Sequence, residues 1–278
     1  MKLVWQILAV VVIAAAGGQA VNLLDDNPYA TLALGLVVAV LSVLAYRWVV
    51  GRTESRPVTE LQGRGAVPAV LRGLLIGVAA FGSVIVNLYW LGDYTVEGRG
   101  SVSGAVGQIG FMAAAAVTEE LMFRGVLFRL AERRLGTWIS LVLTGLLFGA
   151  MHLTNEHATV WGALAIAIEA GGMLGAAYIA TRTLWVPIGL HFGWNFAEAG
   201  IFSTEVSGNG SNNGLLKSST SGPELLTGGD FGPEASMYSV VFCVLVTIAF
   251  LLLARRRGHL MPRRGRAVRE TEPATLAR

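Results

Sequence analysis

Apolar residues along this chain gather into long runs separated by short polar stretches. A helix rising about 1.5 Å per residue needs about 20 such residues to cross roughly 30 Å of hydrocarbon. Eight runs approach that length: 3–21, 30–50, 71–91, 104–130, 137–154, 158–181, 184–202 and 236–254. They predict an all-α, polytopic transmembrane helical bundle of about eight spans. The first run follows a lone Lys2 and ends in small residues from Ala14 to Ala20, so it reads either as a span or as a cleaved signal peptide. The organisation expected is spans 1–3 in 1–103, a core of spans 4–7 in 104–202, an outer loop in 203–235, a last span in 236–254 and a basic tail in 255–278.

The polar positions orient the bundle, because Lys and Arg in short loops stay on the cytoplasmic side. Arg47, Arg52, Arg56, Arg64 and Arg72 flank the second loop, Arg129, Arg133 and Arg134 the fourth, and Arg182 the sixth, while Arg255 to Arg269 fill the tail. Only Arg99 and Lys217 fall in alternate loops, and the first loop carries Asp25 and Asp26. Both termini are therefore expected in the cytoplasm. The longest polar stretch, 203–235, is rich in Gly, Ser and Asn and reads as a flexible outer linker in preference to a substrate gate.

Composition agrees with this picture: 54% of the 278 residues are apolar, 14% are charged, and mean hydropathy is +0.59, which excludes a water-soluble domain. The net charge of +3 follows from topology and does not indicate nucleic-acid binding; the basic tail reads as an anchor to anionic lipid. The single cysteine, Cys243, excludes an internal disulfide and a Cys-based metal site.

Charged groups at bilayer depth cost a few kcal/mol each and need a reason to be there. The fourth run carries Thr118-Glu119-Glu120-Leu121-Met122-Phe123-Arg124. Glu120 and Arg124 are four apart and share a helix face on which they can pair. Glu119 points about 100° away and lacks that partner, which makes it the candidate general base. On its own the motif is also consistent with two glutamates holding the bundle together through basic neighbours. The fifth run brings Phe148 and His152, and the seventh His191 and Asn195, each pair four apart and aimed at one neighbour. Glu119 and His152 lie equally far from a turn expected near Leu135 and Gly136, so a straight hairpin puts them in one layer. His191 and Asn195 fall nearer the cytoplasmic side, a gap that tilt or a surface-lying 125–135 segment would close. Pro187 reads either as a kink or as a first-turn proline. Glu156, His157 and His259 are expected to be solvated, and Glu169 and Glu198 to be intramembrane groups outside the catalytic set. Gly171, Gly175 and Ala113 to Ala116 read as small residues that let helices approach.

These residues resemble the CAAX prenyl protease and bacteriocin-processing (CPBP) family of intramembrane proteases, also called type II CAAX or Abi. Its Glu-Glu-x-x-x-Arg motif matches Glu119, Glu120 and Arg124, its Phe-x-x-x-His matches Phe148 and His152, and its His-x-x-x-Asn matches His191 and Asn195. The resemblance covers 104–202. It implies an endopeptidase whose Glu119 and His152 activate a water, whose His191 and Asn195 stabilise the oxyanion, and whose Glu120, Arg124 and Phe148 support the site. A zinc ion on Glu119, His152 and His191 is the alternative, set aside because the sequence offers only distant Glu169 and Glu198 to orient the histidines. The substrate expected is a protein or peptide entering from the bilayer of a prokaryotic plasma membrane. Rival readings are a non-catalytic bacteriocin-immunity or scaffold protein and a transporter; no internal repeat supports the last.

Overall fold

The computed structural model describes residues 2–24, 27–210 and 213–263; the first-loop Asp25 and Asp26 and the tail beyond residue 263 lie outside them. All eight apolar runs fall on helix: α1 (Lys2–Asn22), α2 (Pro28–Glu54), α3 (Ala66–Leu91), α4 (Val102–Glu120), α5 (Arg129–Met151), α6 (Val160–Ile166), α7 (Gly172–Thr181), α8 (Trp185–Phe196), α9 (Glu224–Thr227) and α10 (Met237–Arg256), with α9 a short turn outside the runs. Among the described residues six helices are long and apolar enough to cross a membrane. One of these, Val102–Thr154, has 53 residues, about twice what a single crossing needs. It reverses at Gly136, whose φ of 76° and ψ of 172° leave the helical region, at the turn expected there.

Three wide π-helical turns interrupt the bundle: Leu121–Phe128 joins α4 to α5, Ala167–Gly171 joins α6 to α7, and Ala197–Ile201 extends α8. Such turns disrupt the regular backbone ladder and are frequent at functional sites. Here each one carries or adjoins a buried glutamate: Glu120, Glu169 and Glu198.

Helices end where local chemistry stops them. Asn27 caps α2 by accepting from the Ala30 N–H, with Pro28 at the first helical position. Ser101, Thr159 and Ser236 cap α4, α6 and α10 in the same way. Pro187 lies in the first turn of α8, where its missing N–H has no helical partner to lose; it is a first-turn proline and not a kink.

Glycines bring α3 and α8 into backbone contact. A Cβ on Gly73 or Gly77 of α3 would stand 2.2 and 2.3 Å from the Val186 and Leu190 carbonyl oxygens, and one on Gly189 or Gly193 of α8 would stand 2.1 and 2.3 Å from those of Val70 and Leu74. Two glycines four apart on each helix thus let the backbones touch. Gly35 of α2 and Gly110 of α4 make a second contact of this kind.

One end of the bundle is held by charge. Glu54 accepts from Arg129 at 2.6 Å and from Arg56 at 2.8 Å, Arg56 also pairs with Glu60 at 2.6 Å, and Glu132 pairs with Arg182. The second, fourth and sixth loops therefore meet at the end expected to be cytoplasmic. His259, expected to be solvated, is half-buried there: its Nδ1 donates to the Ile179 and Ala180 carbonyls at 3.2 and 3.0 Å, because the chain after α10 folds back onto α7. Burial alone would raise the Glu60 carboxyl, but hydrogen bonds from Arg56 and Tyr46 outweigh it and hold the pKa below the ordinary carboxylate value. A depressed folded pKa gives stability that is complete above the unfolded value near pH 4.3 and is lost as pH falls through the folded one. Thermal melts in detergent should therefore hold steady from pH 7 to about 5 and fall below about 4. Glu60→Gln should flatten that acid limb and, by weakening a buried pair, lower stability at pH 7 by about 1–3 kcal/mol.

The opposite end corrects the linker expectation for 203–235. β1 (Tyr94–Arg99) pairs antiparallel with β2 (Leu216–Thr220), and the stretch also contains α9 and two 3₁₀ turns. Its polar groups are taken up by neighbours: the Gly208 carbonyl accepts from the His157 N–H, that of Ser207 from Asn155 at 2.7 Å and that of Ala235 from the Trp161 indole at 2.8 Å. Phe231 is fully buried under it. Composition pointed to a linker, but these long-range partners fix the backbone instead.

Candidate active site

Glu119 and Glu120 close α4 with different surroundings. Glu120 is fully buried and its Oε1 accepts from Arg124 at 2.7 Å, the pair expected from their spacing. Arg124 in turn donates to the Ala170 carbonyl at 2.7 Å and lies over the Phe148 ring, 4.7 Å from its centroid. This satisfies a guanidinium that burial would otherwise make costly. The Glu119 side chain keeps 24% of its exposure and is the one of the two that faces the cavity.

Phe148 ties the motifs together. Its ring, 1% exposed, stands edge-on to Phe123 at 4.8 Å and to His191 at 6.0 Å, and tilted to His152 at 5.1 Å. Its carbonyl receives the His152 Nδ1 at 2.8 Å. A carbonyl only accepts, so Nδ1 carries a proton and Nε2 is the nitrogen left to face the cavity.

His191 is held by the glutamate pair. Its Nδ1 donates to Glu120 Oε1 at 3.1 Å, and its Nε2 lies 3.8 Å from Glu119 Oε2. The expected gap between α4 and α8 is thus closed. This also corrects the view that only Glu169 and Glu198 were available to orient the histidines: Glu120 orients His191, and a backbone carbonyl orients His152. Asn195 lies one turn beyond His191 on α8.

Glu119, His152, His191 and Asn195 all line one cavity of about 810 Å³, in the range of sites that enclose a ligand. Its far wall comes from α4 and the outer loop, including Gln108, Ser207, Asn209 and Asn213. Sequence reasoning missed these loop residues, because a Gly/Ser/Asn-rich stretch carries no signal of where it folds. Glu156 and His157 are exposed, as expected.

The donor set was tested against zinc. Among the described residues no three His, Cys, Asp or Glu side chains converge closely enough to hold a metal ion; the Nδ1 contacts of His152 and His191 leave each Nε2 to face the cavity, as in metal-bound and metal-free sites alike.

Residues 101–197 match the family model described as type II CAAX prenyl endopeptidase Rce1-like. The match starts at the cap of α4, ends two residues past Asn195 and contains all three motifs, so the CPBP resemblance holds over this stretch and implies a peptidase of the CAAX type in a membrane. No curated protein and no solved structure matches the chain.

Proposed function

We propose that this chain is an intramembrane endopeptidase that cleaves a membrane-embedded or lipidated protein or peptide by water activation without a metal, in a prokaryotic plasma membrane. The observation that carries this reading is that Glu119, His152, His191 and Asn195, distant in sequence, line one cavity. A water between the Glu119 carboxylate and the His152 Nε2 is polarised from both sides. Glu119 takes its proton as the oxygen attacks the scissile carbonyl, and returns it to the leaving amine. Asn195 through its amide, and His191 through Nε2–H as an imidazolium whose Nδ1–H is held by Glu120, donate to the oxyanion, a contribution of about 3–4 kcal/mol where one such donor has been removed in another enzyme. Glu120 is buried and engaged by Arg124 and His191, so it positions the site and does not meet water.

The purified protein in detergent, given a panel of fluorogenic peptides with and without a strong zinc chelator, tests this reading. Cleavage unchanged by chelation is the expected result. Activity lost on chelation and restored by zinc would overturn the metal-free mechanism. No cleavage, together with an active-site variant that keeps the cell's wild-type phenotype, would favour an immunity or scaffold role.

A further inference from the structure

A second set of carboxylates lies beside the site, and the mechanism does not use it. Glu169 sits in the π turn between α6 and α7, Glu198 in the π turn after α8, and Glu234 in the outer loop; they are 2%, 0% and 4% exposed. Glu169 and Glu234 line the same cavity as Glu119 and His152. Glu198 and Glu169 each act electrostatically on Glu234, and Glu198 on Glu169 as well.

The three differ in their partners. Glu234 is fixed as an acceptor: its Oε1 receives the Trp194 indole N–H at 3.0 Å and its Oε2 the Ser207 hydroxyl. Trp194 immediately precedes Asn195, so this wall is built directly onto the proposed oxyanion site. Glu169 Oε1 is buried with no hydrogen-bond partner, and the buried oxygens of Glu198 have only the neighbouring Glu234 carboxyl within hydrogen-bonding reach. Among the described residues no Lys, Arg or His forms an ion pair with any of the three; the cations near the site, Arg124 and His191, are engaged by Glu120.

Buried acceptors without donors are costly, and carboxyls gathered in a poorly solvated place cannot all carry charge unless a cation joins them. Tight backbone packing holds Glu169 in position. A Cβ on Gly149 would stand 2.1 Å from the Ala163 carbonyl oxygen, and one on Gly171 would stand 2.6 Å from Gly145 Cα. These contacts press the helix that carries Glu169 against the one that carries His152.

We infer that the lobe of the cavity walled by Glu169 and Glu234 receives a cationic side chain, lysine or arginine, of the peptide substrate. Such a group brings several N–H donors and the opposite charge to acceptors that lack both. The methylene stem that carries it suits the apolar walls of the lobe at Met173, Leu174 and Ile166. The inference rests on the protease reading for the identity of the ligand as a peptide, while its test does not depend on cleavage.

The full chain carrying Glu119→Gln is purified in detergent, and labelled decapeptides are bound to it and followed by fluorescence anisotropy. Lysine, norleucine or glutamate is placed at each position in turn. The expected result is one position at which lysine binds at least about 10-fold tighter than norleucine, a preference that drops below about 3-fold when Glu169→Gln or Glu234→Gln is added. Thermal melts of each variant establish that it folds, and the two sites of substitution guard against one variant failing to do so. No position with a lysine preference, or a preference that persists in both folded variants, overturns the inference. A melt raised by calcium or zinc chloride alone, and lost in Glu169→Gln, overturns it in favour of a metal site. Loss of cleavage in the wild type with the lysine preference intact would count against the protease reading alone.

Discussion

Glu119→Gln is expected to lower kcat/KM on a cleavable peptide by about 10³-fold or more while leaving the thermal melt within a few degrees of wild type. Glutamine keeps the shape and the hydrogen-bonding reach of the side chain but cannot accept a proton, and general-base catalysis contributes about 10²–10⁴-fold. The fold should tolerate the change because the Glu119 side chain is partly exposed and reaches its closest ionic neighbour, His191, only at 3.8 Å. Glu120→Gln is the contrasting variant. It withdraws the counter-charge from a buried Arg124 and the acceptor from His191 Nδ1, and breaking a buried pair costs about 3–5 kcal/mol. The first variant should be folded and inactive, the second destabilised. A Glu119→Gln protein that cleaves like wild type would remove Glu119 from the mechanism.

The second large effect should come from a single methyl group at an uncharged helix contact. Gly193→Ala places a Cβ 2.3 Å from the Leu74 carbonyl oxygen and 2.8 Å from its Cα, so α3 and α8 must separate. Overpacking of this kind costs about 1–3 kcal/mol. Gly193 lies between His191 and Asn195 on α8, and a displacement of about 1 Å at a reacting centre costs about 10² in rate. Gly82→Ala is the matched control: it adds the same methyl to α3 where nothing lies within 4 Å, and stability and cleavage should be unchanged. Equal behaviour of the two variants would show that the glycine contact does not position the site.

Much of the fold and of the candidate site was legible beforehand. Long apolar runs fall on helix because a bilayer leaves the backbone no other way to satisfy itself within a single segment. The Glu120–Arg124 pair followed from a spacing of four, and the reversal at Gly136 from the break between two runs. Less was legible where partners come from elsewhere in the chain. Glu120 as the acceptor for His191 joins residues 71 apart, and the docking of His259 on α7 joins residues about 80 apart. Gly73, Gly77, Gly189 and Gly193 were in plain view at the spacing that marks close helix contact; the signal was present and went unused. The π turns left no such trace, since a widened turn depends on packing and not on any residue type within it.

The sequence by itself determined the solvent, the helical class and the residue types that carry the proposed chemistry, because hydrocarbon length, the cost of buried charge and i, i+4 spacing are local properties. Only the tertiary structure decided which carboxylate meets the cavity and which is locked away by Arg124. It also decided how the Gly/Ser/Asn-rich stretch folds over the site, and that Glu169, Glu198 and Glu234 gather beside it. Those outcomes depend on the close packing of helices that are neighbours in space but not in sequence, and on polar groups that must find partners wherever that packing puts them.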